Sequence, residues 1–391
     1  MFNKEAIQAS LKSAGLDGWL LYDAHGLNPI ARQIVAPQGV TTRRFFVMIP
    51  SQGPARILYH RIEQLGFRHL EGEHRLYGAW KELDEGLKWV LGGCRRVAME
   101  YSPDNAIPYV ARVDAGTIEK IRALGVEVVS SADLIARFLA AWTPEQVETH
   151  KRAVTALMEI KDAAFRLVAE RVRAGKTVTE LEVATSMRDD MTRRGMVNDG
   201  EGPICAVDAN AGNPHYEPTA TMNATIGPNQ VVLLDLWAKL DTPDAVYGDI
   251  TWVGYTGAEV PKEVATVVGT VARARNRAIE FLTERYAQGQ TVHGFEVDRE
   301  VRKVIVDAGY GDAFTHRTGH SIGRSVHDVG PNIDDLETQD RRVLQSGVAF
   351  SIEPGIYLPK FGIRLEIDVL VTDKGPVVTT LPLQQEILRL T

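Results

Sequence analysis

Apolar residues in the first third of the chain come in short blocks: Gly18-Trp19-Leu20-Leu21-Tyr22, Phe45-Phe46-Val47-Met48-Ile49, Ala55-Arg56-Ile57-Leu58-Tyr59 and Val97-Ala98-Met99. Separated by helix-like stretches, such blocks predict an α/β domain with a mostly buried sheet over residues 1 to about 140. Trp142-Thr143-Pro144-Glu145 then places a threonine N-cap, a proline at the first helical position and an acid in the first turn. A helix starts there, and a domain boundary fits, which gives domains 1–142 and 143–391. From Glu145 to about Arg173 apolar residues recur every three or four positions, the period of a long amphipathic helix.

The second part of the chain repeats itself. Gly175-Lys176-Thr177-Val178 and Gly289-Gln290-Thr291-Val292 are followed by matching residues at constant offset. Glu182 and Val183 answer Glu296 and Val297, Arg188 answers Arg302, and Gly195 answers Gly309. Self-similarity of this kind marks duplicated architecture. Each copy follows a long helix and precedes a pair of acid-bearing, strand-like runs. Asp235 and Asp249 lie on one pair, Glu353 and Glu366 on the other.

Four carboxylates on otherwise apolar strands, with His316-Arg317-Thr318-Gly319-His320 close by in sequence, are too much negative charge to bury unpaired. Gly319 lets the backbone at His320 approach a neighbour closely. The cluster calls for cations, and a pair of divalent metals supplies them. Oxygen ligands with a single imidazole suit Mn²⁺, with Zn²⁺ or Co²⁺ as alternatives. Such a pair acidifies water and polarises a carbonyl, so hydrolysis follows. In the final run Arg364, Glu366 and Asp368 are expected on one face of a strand.

Composition narrows the alternatives. At 391 residues the chain exceeds one ordinary core, and 44% apolar with 24% charged residues is ordinary for a globular enzyme. A net charge of -7 argues against a nucleic-acid partner. No leader-like start and no membrane-length apolar run are seen, which predicts a cytoplasmic protein. Cys94 and Cys205 are far apart and give neither a disulfide framework nor a metal-type spacing.

These motifs resemble the pita-bread metallopeptidases, the family of aminopeptidase P, prolidase, methionine aminopeptidase and creatinase. The resemblance covers the whole chain. It implies an α+β protein, with an N-terminal α/β creatinase-like domain ahead of the duplicated pita-bread domain. It also implies metal ligation by Asp235, by Asp249 in Tyr247-Gly248-Asp249, by His320, by Glu353 in Glu353-Pro354-Gly355 and by Glu366 in Arg364-Leu365-Glu366. His215, in Asn213-Pro214-His215-Tyr216, resembles the family histidine that assists substrate binding and proton transfer. His316 and His327 match cleft histidines of the proline-specific branch, and Arg364 and Tyr357 resemble active-site support residues.

The activity so implied is hydrolysis of an Xaa-Pro bond in a small peptide, with Glu353 relaying the proton and His215 and His327 stabilising the oxyanion and departing nitrogen. A dipeptidase is expected ahead of aminopeptidase P acting on longer peptides. A metal-free binding module or a creatinase-like C–N hydrolase is the remoter alternative. A homodimer built through the N-terminal domain is expected. The chain departs from the family pattern in a longer Asp235–Asp249 connection, where Asp241 or Asp244 could compete as ligands, and at Trp252, which could reshape the pocket wall.

Overall fold

A computed structural model describes residues 3–390 and divides them into two compact units, one ending at Leu139 and one beginning at Ala140. The first unit is built on one sheet of six strands, β1(Gly18–Asp23), β2(Phe45–Pro50), β3(Arg56–His60), β4(Glu73–Tyr77), β5(Arg96–Met99) and β6(Glu127–Ser130). Their order across the sheet is β4-β3-β2-β1-β5-β6. The β1–β2 and β2–β3 pairs are antiparallel and the others parallel, so the sheet is mixed. All six residues of β1 and of β2 are buried, which is why they read as unbroken apolar runs. Helices α1(Lys4–Ser13), α2(Pro29–Val35), α3(Trp80–Leu91), α4(Ala115–Ala123) and α5(Ala132–Ile135) complete the unit. Leu83, Leu87 and Val90 of α3 and Ile118 and Ile121 of α4 join Leu20, Met48 and Leu58 in its core.

The second unit opens with the long helix α6(Pro144–Arg173), whose start is fixed by Thr143 and Gln146 in a reciprocal capping box. There follow β7(Val178–Thr179), α7(Glu180–Arg193), β8(Met196–Val197), β9(Ile204–Val207), β10(Thr225–Ile226), β11(Val231–Leu240) and β12(Gly248–Tyr255). The second copy runs through α8(Lys262–Ala287), α9(Gly294–Asp307), β13(Ser321–Ile322), β14(Ala349–Ile352), β15(Gly355–Tyr357), β16(Gly362–Arg364), β17(Ile367–Thr372), β18(Gly375–Val378) and β19(Leu388–Arg389). In the first copy β11 lies antiparallel between β9 and β12; in the second β14 lies antiparallel between β13 and β17. The two halves thus share a topology.

The repeated residues do matching work. Gly175 and Gly289 close the long helices at φ of +62° and +65°, where a side chain would be strained. Glu182 and Glu296 each bond back to the backbone N–H three residues earlier, at 2.8 and 2.9 Å. The guanidinium of Arg188 donates to the Gly202 carbonyl and that of Arg302 to the His316 carbonyl, both at 2.8 Å and both fourteen residues on.

Successive side chains of β11 and β12 alternate between two faces of the sheet, both largely buried. Leu234 and Leu236 of β11 and Ile250 and Trp252 of β12 pack with Leu157, Ile160, Phe165 and Val168 of α6, each such burial contributing roughly 1.5–3 kcal/mol for a full-sized side chain. Asp235, Asp249 and Thr251 therefore turn to the opposite face. Trp252 accordingly lies in this core beneath the Lys161 ammonium, 3.7 Å from its ring centroid, and does not reshape the pocket wall.

Candidate functional site

The acid-bearing face lines a cavity of about 500 Å³ in the second unit. Asp235, Asp249, His320, Glu353 and Glu366 all border it, as do His215, His316, His327 and Arg364. Register explains the first-half acids: Asp235 pairs with Thr251 across β11 and β12, and Asp249 pairs with Trp237. Glu353 follows β14 directly. Glu366 falls in the two-residue gap between β16 and β17, its backbone N–H donating to the Thr251 carbonyl at 3.2 Å. The expected single strand through Arg364, Glu366 and Asp368 is therefore broken, because the chain leaves one sheet and joins another there.

His320 is seated by close backbone approach. A Cβ on Gly319 would stand 1.9 Å from the Ser351 carbonyl oxygen, so only glycine fits. The His320 N–H then donates to Ser351 Oγ at 2.9 Å, and Ser351 Oγ donates to Glu353 at 3.2 Å. On the ring, Nδ1 faces the Ser321 carbonyl at 3.2 Å and carries the proton. That leaves the Nε2 lone pair aimed at Asp249, 3.6 Å away, and at Glu353, 3.5 Å away. Electron-rich groups face one another with no donor between them.

Ligand atoms of Asp249, His320 and Glu366 lie within 4.8 Å of one another. Asp249 Oδ1 is buried with no hydrogen-bond partner. Burial, joined by the neighbouring carboxylates, raises the pKa of Asp249 and of Glu366 well above the ordinary range and pushes Glu353 up to about 7. Burial holds His320 well below its ordinary value. A divalent cation relieves each of these conditions at once, so the donor set fits one.

Asp235 is held differently. The Arg364 guanidinium bonds its Oδ2, while Arg364 also reaches Thr251 Oγ1 and Tyr357 Oη, both at 3.1 Å. The Tyr357 hydroxyl donates to His316 Nε2 at 2.7 Å, since His316 Nδ1–H donates to the Arg317 carbonyl at 2.7 Å. Burial keeps His316 neutral, its pKa lowered to about 3. His327 stacks edge-on against His320, with ring centroids 4.3 Å apart. Asp241 and Asp244 are exposed turn residues outside the cavity, Asp244 facing Arg324 at 3.7 Å, so they do not compete as ligands.

Three groups escape a reading of the sequence. Thr251 Oγ1 stands between Asp235 Oδ1 at 3.0 Å and Glu366 Oε2 at 2.7 Å. Its position two residues after Asp249, hence on the same strand face, is the signal that could have found it. Asp368, fully buried, receives the Asp249 backbone N–H at 2.9 Å. Arg317, next to His316 in sequence, lines the cavity 3.8 Å from Glu337.

Residues 152–373, more than half of the sequence, match metallopeptidase family M24. The chain belongs to that family. An Xaa-Pro dipeptidase of Lactobacillus helveticus is 34% identical over 241 residues, which are 60% of this chain and 58% of that protein. An Xaa-Pro dipeptidase of Pyrococcus furiosus is 31% identical over 234 residues, 60% of this chain and 61% of that protein. The chain thus matches less than two thirds of the length of these curated M24 relatives. Among solved structures, dipeptidase PepE from Mycobacterium ulcerans superposes with a TM-score of 0.69 at 24% identity over 99% of this chain and 96% of its own. The prolidase from Pyrococcus horikoshii OT3 gives 0.62 at 22% identity over 98% and 99%. These likenesses establish the α+β, pita-bread fold of the M24 chain. No helix among its described residues is long and apolar enough to cross a membrane.

Proposed function

We propose that this chain is a dinuclear metal-dependent peptidase that hydrolyses the Xaa-Pro bond of a small peptide, as a dipeptidase in preference to an aminopeptidase P. The observation that carries the reading is the His320 Nε2 lone pair set against the carboxylates of Asp249 and Glu353, with Asp249 Oδ1 unpartnered beside them. Asp235, Asp249, His320, Glu353 and Glu366 would hold two divalent ions, Mn²⁺ by the donor chemistry. Such ions, when bound, acidify water and polarise the scissile carbonyl.

The chain's own residues complete the reaction. Glu353, oriented by Ser351 Oγ, relays the proton from the attacking oxygen to the departing nitrogen. His215 and His327 border the same cavity and meet the developing oxyanion and the prolyl nitrogen. Arg364 fixes Asp235, and Tyr357 fixes neutral His316, so these two side chains hold the wall against which a proline ring would rest. Proline offers no N–H to an ordinary peptidase subsite, and recognition falls to the shape of that wall.

The names carried by the relatives, Xaa-Pro dipeptidase among them, support the dipeptidase reading over the longer-peptide one. Residues 1–142 are read as the creatinase-like domain and 143–391 as the catalytic one. A cytoplasmic homodimer is part of the same proposal. A Mn²⁺-supplemented panel comparing an Xaa-Pro dipeptide with an Xaa-Pro tripeptide tests it. Preferential cleavage of the dipeptide is expected. Cleavage of the tripeptide alone moves the chain to the aminopeptidase P reading, and inertness towards both removes the activity.

A further inference from the structure

No side chain of α7 or α9 borders the cavity, yet each helix buries one carboxylate that the chemistry above does not use. Glu180, the first residue of α7, is fully buried. Its Oε1 accepts the Val207 N–H at 2.7 Å and Asn210 Nδ2 at 3.0 Å. Its Oε2 accepts the Ala224 N–H at 2.7 Å, the Tyr216 hydroxyl at 2.5 Å and Asn210 Nδ2 at 3.1 Å. Every donor belongs to residues 207–224, the stretch from the last residue of β9 up to β10 that carries His215.

His215 itself is exposed, and its backbone N–H is held only locally, by Asn213 Oδ1 at 3.1 Å. Its neighbour Tyr216 is the buried anchor, 3% exposed and bonded to Glu180. On its other side the stretch meets β16, where a Cβ on Gly362 would stand 1.8 Å from the Ala211 carbonyl oxygen. Only a carboxylate can receive donors on both oxygens, and an amide at position 180 would turn a donor on one of these partners. The second half carries the same device. Asp298 of α9 accepts the Thr318 N–H at 3.0 Å and hydroxyl at 2.5 Å and the Asp335 N–H at 3.0 Å, pinning the chain two residues before His320.

We infer that Glu180 is a positioning residue: through Tyr216 and the ends of the 207–224 stretch it fixes His215 at the cavity, just as Asp298 fixes the backbone ahead of His320. The inference rests on the prolyl-peptidase reading for its kinetic test. Glu180→Gln and Tyr216→Phe are each combined with His215→Ala, and kcat/KM for an Xaa-Pro dipeptide is measured. Each single change lowers it by about tenfold to a hundredfold, the order expected for a misplaced reacting group, while adding nothing in the His215→Ala background.

Losses that multiply with that of His215→Ala, or full activity in Tyr216→Phe, overturn the inference. Should Glu180→Gln fail to fold, Tyr216→Phe, which removes a single oxygen, carries the cycle alone. If the wild-type protein cleaves no prolyl peptide, the activity reading is what has failed. The clamp is then judged by the ¹⁵N imidazole signal of His215, with an ordered ring expected in the wild type. A mobile ring in Tyr216→Phe supports it, and an unchanged signal overturns it.

Discussion

Glu100 in the first unit and Asp249 in the second are both buried carboxylates, 0% and 3% exposed, and the chain treats them in opposite ways. Glu100 is fully provided for by neutral donors: Trp19 Nε1 at 2.7 Å and Ser131 Oγ at 3.1 Å on one oxygen, Asn28 Nδ2 at 2.8 Å on the other. Asp249 has an orphaned oxygen and four acids for neighbours, Asp235, Glu353, Glu366 and Asp368. Donors surround Glu100, as they would an acid that stabilises a fold; acceptors surround Asp249, as they would an acid proposed to hold a cation. Glu180 and Asp298 belong to the first kind. Burial alone does not distinguish Glu100 from Asp249, and it is the partner list that separates the two.

The largest effect that could break this contrast comes from Asp249→Asn. In metal-stripped protein the substitution removes a carboxyl whose anion burial and its acidic neighbours already disfavour, so the variant should unfold no more easily than the wild type. With Mn²⁺ at a thousand times its Kd, mass action should stabilise the wild type by about 4 kcal/mol, and the variant far less. Thermal unfolding with and without Mn²⁺ measures both. An equal rise in the two proteins would place the cation elsewhere and end the comparison.

Why one kind of acid was legible in the sequence and the other was not follows from where its partners lie. Glu353 before Pro354-Gly355 and Asp249 on an apolar strand announce themselves locally, through the residues on either side of them. The start of α6 was legible for the same reason: Thr143, Pro144 and Glu145 act within one turn. Glu100, Glu180 and Asp298 look like ordinary surface acids until the chain is folded, since the Trp19 indole that meets Glu100 is 81 residues away. Arg364 could be read only as a generic support residue, because the bond that defines it reaches Asp235 across 129 positions. The break in the final strand at Leu365 and Glu366 also lay beyond alternation, which follows the pleat of one sheet and cannot see the chain change sheets.

Glu100→Gln should show the opposite sign to Asp249→Asn. Its amide sets a donor against a donor at Trp19, Ser131 or Asn28, at a cost of about 1–3 kcal/mol. A pH signature comes with it. Burial raises Glu100 from its ordinary 4.5 to about 6, so the folded state binds the extra proton. For an acid raised on folding, stability is fullest below the unfolded value and falls as pH climbs through the folded one. Between pH 4.5 and just above 6 the wild type should therefore lose about 2 kcal/mol that Glu100→Gln does not. Urea unfolding at several pH values measures the difference, and parallel pH profiles for the two proteins would mean that Glu100 ionises without penalty.

Thr251→Val probes the boundary between the two kinds of acid. The Thr251 hydroxyl accepts from Arg364 Nε and has one proton to share between Asp235 and Glu366, so it supplies those acids with a fraction of what Glu100 receives. Valine keeps the branched shape that suits the interior of β12, which leaves the hydroxyl as the only loss. If the acids are oriented for a cation by this bond, affinity for Mn²⁺ should fall by about tenfold to a hundredfold, as for other groups that orient ligands. Competition with a chelator measures it, with no peptide turnover required. Unchanged affinity would mean that Arg364 and the strand register alone hold Asp235 and Glu366 in place. The site would then be preorganised by its backbone, and the donor-poor surroundings of its acids would owe nothing to Thr251.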